Sequence, residues 1–439
     1  MLVEFSVENY RSFQEKQTLS MVAAEDDETM INSNTFTMPN TDDLRLVTSA
    51  AIYGPNASGK SNLIKAIQTL IHLVINSASR MQAGDKLPIE PFRLNSESPK
   101  HPTTFEVIFI HKGTRYEYGI SANQERIYEE WLIAYPKERQ QNWFSRQLMP
   151  DNSELQIDEV YQWSFGKGLK GEKKIISKFV RDNSLFLSHA AQNNHPQLTE
   201  IFNFFREQIN IMMHGYTDIG FTLGILNKDS HLKQKVAKLM TEVDIGISNI
   251  NIQIDPRLTP EELSKINPFD LQFINHKAEL KYFAEQTIDT LEQFDITTTH
   301  KMNDSEEEIE FDITEESTGT QRLFEIAGYW LYVLQNGEIL IVDELDTSLH
   351  PVLSTELIKM FSDPKINKNN AQLIFTTHDT TLLDENIFRQ DQVWLTQKSK
   401  NMTKLYSLLD FQIHEDESLQ KGYLLGRYGA IPSINNLNI

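Results

Sequence analysis

The sequence of 439 residues contains no cysteine. Disulfides, thiolate metal sites and a cysteine nucleophile are therefore excluded. No run of eighteen or more apolar residues occurs, so no membrane-spanning helix is expected. The opening Met1-Leu2-Val3-Glu4-Phe5 alternates like a strand and lacks the basic and apolar regions of a secretory signal. The cytoplasm is the expected compartment. Positive charge is scarce as well: 41 Lys and Arg stand against 62 Asp and Glu, a net charge of -21. That balance opposes non-specific attachment to phosphate backbones. Any nucleic-acid contact would need a local basic patch, or one assembled in an oligomer. Heptads are not sustained long enough for an extended coiled coil. His111, His189 and His195 lack metal-ligand spacing, so no zinc site is expected.

An apolar fraction of 39% is enough for a globular interior. Leu46 to Ile52 forms an apolar run consistent with a buried strand. Gly54 to Ser61 punctuates it, and Asn62 to Ile75 carries apolar residues at helical spacing. Period-two alternation from Thr103 to Pro136 predicts an antiparallel sheet, with Phe105, Val107 and Phe109 on one strand and Tyr116, Tyr118 and Ile120 on the next. Ile127 to Ala134 reads as its third strand, and Leu185 to Ser188 as another short strand. Helices are expected at Gln197 to Ile209, Leu232 to Val243 and from Pro260 into the 280s, interrupted by a strand-like Ile250 to Ile254. Phe294 to Ile313 suggests a hairpin, with the acidic run from Asn303 to Glu316 as its solvated part. A helix (Gln321 to Leu334), a strand (Ile339 to Val342), a helix (Leu353 to Phe361) and a strand (Gln372 to Thr376) then alternate as in a parallel α/β sheet.

Gly54-Pro55-Asn56-Ala57-Ser58-Gly59-Lys60-Ser61 satisfies the P-loop pattern, with the required strand before it and helix after it. Gly54 and Gly59 let the backbone curl so that several N–H groups face one anion. The following helix adds its positive N-terminal end. In that chemistry Lys60 contacts the β- and γ-phosphates and Ser61 ligates Mg2+, with Asn56, Ser58 and Asn62 as further nucleotide-contact candidates. The strand at Ile339 to Val342 ends in Asp343-Glu344. Asp343 would hold Mg2+ through its water shell, and Glu344 would polarise the attacking water. Such a strand end is common by itself and gains meaning from the P-loop.

Further segments are candidates by resemblance. Glu316-Ser317-Thr318-Gly319-Thr320-Gln321-Arg322 opens a helix, where a small hydroxyl and a glycine suit an anion. It resembles the ABC signature, which caps the γ-phosphate bound by an opposite subunit, with Thr318 at the first glycine and Gly319 keeping the second. An ordinary N-cap at Ser317 or Thr318 is the alternative. Leu345-Asp346-Thr347-Ser348-Leu349-His350-Pro351 looks like a D-loop, in which Asp346 couples two nucleotide sites. His378, after Phe375-Thr376-Thr377, looks like the switch histidine that contacts γ-phosphate; a structural histidine is the alternative. Gln192 is the Q-loop candidate and would serve the metal. Arg11 and Ser12, in Asn9-Tyr10-Arg11-Ser12-Phe13, are candidates to approach the nucleotide, with a surface turn as the alternative.

In this order the motifs resemble the RecF/OLD-like ABC ATPases of the AAA15 (AAA_21-type) group, and the ending Gly426-Arg427-Tyr428-Gly429-Ala430-Ile431-Pro432 is similar too. The resemblance implies an α/β fold, an ABC-type P-loop ATPase head with a parallel sheet core, an antiparallel β subdomain and a mainly helical insertion. The expected division is an N-terminal lobe at 1–195, the insertion at 196–295 and a C-terminal lobe at 296–439. It implies ATP and Mg2+ as cofactors, catalytic roles for Glu344, His378 and Lys60, and a homodimer or higher homo-oligomer closing through the heads. Relatives include ATPases of bacterial anti-phage and abortive-infection systems, often paired with a separate effector. The expected function is a sensor or scaffold subunit of such a complex. The residues after His378 are too few for the Toprim domain of OLD nucleases, so no nuclease is expected in cis. The alternative is a RecF-like DNA-binding repair or maintenance ATPase. A membrane-transporter subunit fits less well, given the RecF-like opening, the antiparallel insertion and Thr318.

Overall fold

The computed structural model describes residues 1–38, 44–149, 160–213, 219–243, 246–254, 294–413 and 418–432. The helix expected from Pro260 into the 280s lies outside the described residues. The chain divides into two units, Met1–Ile209 with Ser362–Pro364 and Gln372–Ile439, and Asn210–Phe361 with Lys365–Ala371.

The first unit opens with β1 (Leu2–Glu8), β2 (Gln17–Ser20), β3 (Thr35–Thr37), β4 (Arg45–Val47), β5 (Ser49–Tyr53) and α1 (Lys60–Asn76). Five strands follow: β6 (Thr103–His111), β7 (Thr114–Ala122), β8 (Ile127–Tyr135), β9 (Gln141–Leu148) and β10 (Tyr161–Phe165). After them come α2 (Lys173–Ile176), α3 (Phe186–Gln192) and α4 (Pro196–Glu207). The antiparallel sheet has seven strands, in the order β10-β9-β8-β7-β6-β1-β2. Its alternation follows the pleat, which sends successive side chains to opposite faces. Phe105, Val107 and Phe109 are buried together on one face, and Phe109 stacks on Phe204 of α4 at 4.1 Å between ring centroids.

Leu185 to Ser188 is not a strand. Leu185 is the extended residue before α3, and the first turn of that helix is capped from a distance. The Glu130 carboxylate on β8 accepts the N–H of Phe186 at 2.6 Å and of Leu187 at 3.0 Å. A short apolar run cannot be divided between strand and buried helix by periodicity, and the capping carboxylate lies on another element.

The second unit begins within β11 (Ile209–Met212) and contains α5 (Ile219–Lys228), α6 (Ser230–Val243), β12 (Ile247–Ile254), β13 (Phe294–Lys301) and β14 (Glu308–Asp312). Then come α7 (Thr318–Asn336), β15 (Ile339–Val342) and α8 (Pro351–Ser362). β12, β13 and β14 form an antiparallel sheet, so the expected hairpin is present. All five residues of β14 are exposed, the apolar Ile309 and Phe311 as well as the three acids. Leu323, Phe324 and Ala327 of α7 share a buried cluster with Leu232, Val236 and Met240 of α6. β15 is buried throughout and neighbours β11.

The chain returns to the first unit with β16 (Gln372–Thr376), β17 (Val393–Ser399), β18 (Met402–Ser407) and α9 (Leu419–Leu424). β5 lies between β16 and β17 and runs parallel to both. β18 folds back antiparallel on β17. A parallel strand covered on both faces needs a continuous apolar run, and all five residues of β5 are buried.

Candidate functional site

The C-terminal end of β5 delivers the chain into the P-loop. Gly54 and Gly59 stand at φ 152 and 116, and Ala57 between them at φ 61. These are conformations that L side chains rarely adopt, and they turn the loop into the first turn of α1. Gly59 is the N-cap of that helix and has no side-chain cap hydrogen bond. Leu63, Ile64, Ile67, Leu70, Ile71 and Val74 are buried along α1 and fix the helix. Asn56 is exposed and Ser58 buried.

Lys60 is buried in its first turn. Its Nζ donates to the Gly54 carbonyl at 2.8 Å and lies 3.0 Å from His378 Nε2. An ammonium only donates, so His378 Nε2 is the acceptor here and its proton sits on Nδ1. The exposed His378 follows β16, which pairs with β5. The structure thus brings the P-loop lysine and the switch-histidine candidate together within one unit. Ser12 joins them, since Asn62 Nδ2 donates to Ser12 Oγ at 2.8 Å. Arg11 turns away into an ion pair with Glu90 at 2.6 Å.

Gln192 ends α3 and is exposed. The hydrogen bonds of α3 to α1 reach its C-terminal end: Ser188 Oγ donates to the Val74 carbonyl at 2.5 Å. At 1.5 Å rise per residue, Val74 lies about 20 Å along α1 from Ser61. No hydrogen bond described for α3 reaches the P-loop.

In the second unit, Ser317 is the N-cap of α7, and its side chain accepts the N–H of Thr320 at 3.1 Å. Gly319 lies in the first turn, where a Cβ would meet the Ser348 carbonyl at 3.1 Å. The signature and D-loop candidates therefore touch. Ser317 and Thr318 are exposed, leaving the end of a 19-residue helix open. Asp343 is buried after β15, and its N–H donates to the Met212 carbonyl at 2.8 Å. Glu344 and Ser348 stand at φ 55 and 62, and Asp346 lies between them, half-buried. Left-handed backbone at two non-glycine residues of one short loop stores strain, and nothing in their residue types signals it.

Sequence reasoning missed Thr396 and Thr403, which lie against the back of the P-loop. A Cβ on Gly54 would fall 2.3 Å from Thr396 Oγ1, and one on Gly59 would fall 2.3 Å from Thr403 Oγ1. Threonines in a hairpin carry no motif, so no signal could have found them. Among the described residues no group of three or more His, Cys, Asp and Glu could hold a metal ion, and no helix is long and apolar enough to cross a membrane.

The family described as "AAA domain, putative AbiEii toxin, Type IV TA system" (AAA_21) matches residues 49–384. No curated protein matches the chain. Among solved structures, the SMC head domain from Thermotoga maritima is 11% identical, covering 94% of this chain and 99% of that one, with a TM-score of 0.39. An SmcHead bound to the C-winged helix domain of ScpA is 12% identical, with coverages of 96% and 99% and a TM-score of 0.40. An Smc head domain with an extended coiled coil, bound to the C-terminal domain of ScpA derived from Pyrococcus furiosus, is 13% identical, with coverages of 97% and 98% and a TM-score of 0.34.

Proposed function

The chain belongs to the AAA_21 family, a family of ATPase domains, and from that premise we propose that it binds and hydrolyses Mg-ATP between paired heads. The carrying observation is the glycine cradle of the P-loop with buried Lys60 beneath it, 3.0 Å from His378. Such a cradle of backbone N–H groups at a helix start fits a polyphosphate. Lys60 leaves the Gly54 carbonyl to meet the β- and γ-phosphates, and His378 contacts the γ-phosphate. Exposed Asn56 lines the nucleotide side, while the side chains of Ser58 and Asn62 are engaged with Thr396 and Ser12 and leave their backbone to the nucleotide. Mg2+, when bound, would neutralise phosphate charge, with Ser61 and Asp343 as the residues the motifs offer it; Gln192, on a helix that bonds the far end of α1, is not assigned to it. Glu344 orients and deprotonates the attacking water. Ser317 and Gly319 of a second copy close over the phosphates, and Asp346 couples the two sites.

The role assigned is that of a cytoplasmic sensor or scaffold subunit in a bacterial anti-phage complex, with a nuclease as its separate effector. The family's description as a domain of a toxin–antitoxin system supports a two-component reading. Glu344→Gln is expected to lower turnover by roughly 10²–10⁴ while retaining ATP and the closed dimer. Turnover and mass are measured on the same preparation, and rapid hydrolysis by E344Q would remove the role from Glu344. Pull-down of the tagged protein with Mg-ATP then reads the partner. A discrete protein supports the scaffold role. A second reading, a DNA-binding maintenance ATPase, has the exposed Lys167, Lys170, Lys174 and Lys178 on its side. It predicts ATP-dependent, salt-sensitive retention of DNA.

A further inference from the structure

The two threonines behind the P-loop form a chain of hydroxyls whose protons can be assigned. Thr396 Oγ1 lies 3.1 Å from the Tyr53 carbonyl oxygen and 2.6 Å from Ser58 Oγ. Thr403 Oγ1 lies 2.6 Å from the Ser58 carbonyl oxygen and 2.8 Å from Ser12 Oγ. A carbonyl can only accept, so each threonine gives its single proton to a carbonyl. Ser58 then donates to Thr396, and the Thr403 hydroxyl also points to Ser12 Oγ, which accepts from Asn62 as well. Both threonines are buried, so water cannot replace these bonds.

The direction of those carbonyls sets the direction of the loop's amides. No cis peptide occurs among the described residues, and in a trans peptide the C=O and the next N–H point to opposite sides. Holding the Tyr53 carbonyl against Thr396 turns the Gly54 N–H the other way. Holding the Ser58 carbonyl against Thr403 does the same for the Gly59 N–H. The approach is so close that a Cβ at either glycine would collide with the threonine hydroxyl at 2.3 Å. These positions are therefore constrained from behind as well as by φ.

We propose that Thr396 and Thr403 are positioning residues that act through the Tyr53 and Ser58 carbonyls to aim the P-loop amides at the nucleotide phosphates. The inference rests on the ATP-binding reading above. Wild type, Thr403→Val, Thr403→Ser and Thr396→Val are compared by titration with a fluorescent ATP analogue, by steady-state KM and kcat for ATP, and by thermal midpoint. T403V is expected to weaken binding and raise KM roughly three- to tenfold, the worth of one hydrogen bond, with kcat little changed. T403S, which keeps the hydroxyl, is expected to restore wild-type binding. A threonine that serves only the fold would instead lower the midpoint and the active fraction, leaving KM unchanged. Unchanged binding by T403V, or a loss that T403S does not restore, overturns the proposal. Should T403V fail to fold, T396V carries the same expectation and the same overturning result. If wild type itself binds no ATP, the nucleotide reading fails. If wild type binds and T403V binds equally, only the threonine role falls.

Discussion

In the antiparallel sheet, Glu130 on β8 and Arg146 on β9 are buried side chains on regular strands. Glu130 accepts from the N–H groups of Phe186 and Leu187 and from the Tyr118 hydroxyl. Arg146 donates to the Ser184 and Arg181 carbonyls and stacks over the Tyr161 ring at 3.8 Å. In the motif loops the backbone itself is unusual, with Ala57, Glu344 and Ser348 at positive φ. A non-glycine residue there costs about 1–2 kcal/mol. The buried charges of the sheet bond backbone groups of other segments from regular strands, although Arg146 Nε itself is buried without a hydrogen-bond partner among the described residues. Glu344, assigned to the attacking water, is held on left-handed backbone instead.

The sharpest way to break that contrast is at Glu344. Glu344→Gly relieves the left-handed strain and is expected to raise stability by about 1 kcal/mol. Turnover is expected to fall by roughly 10²–10⁴, as for E344Q. A thermal melt and an ATPase assay on one sample decide it, and a variant that is neither stabilised nor inactive removes the strain argument. Glu130→Ala tests the other side. It leaves two amides and a hydroxyl buried without their acceptor, and a loss of about 2–5 kcal/mol is expected in denaturant titration. ATP affinity of the folded fraction should stay the same.

Gly59→Ala places a Cβ 2.3 Å from Thr403 Oγ1 at φ 116. The distortion, about 1–3 kcal/mol, is expected mainly as weakened nucleotide binding, read by titration. Binding at wild-type affinity would mean that the loop can yield. The smallest effect concerns acid. Burial lowers His189 from 6.5 to about 4, helped by Arg181 and Arg146. The folded state then binds fewer protons than the unfolded state between those values. Stability from this residue is full above pH 6.5 and is lost as pH falls towards 4. The thermal midpoint should drop less over that range in His189→Gln than in wild type, and equal drops would show that His189 titrates normally.

Much of this contrast was legible beforehand on one side only. β5, the P-loop and α1 are contiguous, so strand, glycine curl and helix announce themselves in one stretch of chain. The hairpin of β13 and β14 and the strand β15 were equally local. The helix α3 was misread because its cap comes from Glu130, 56 residues away. Gln192 was chosen on the same misreading.

Sequence by itself determined the nucleotide-binding loop, the carboxylate pair and the alternation of strands and helices around them, because each depends on neighbours within a few residues. Tertiary structure alone decided which hydroxyls aim the loop, since Thr396 and Ser58 are 338 residues apart and Thr403 and Ser12 are 391 apart. It also decided which backbone positions carry strain. Both are properties of chain segments brought together by burial of the sheet, and no periodicity records them.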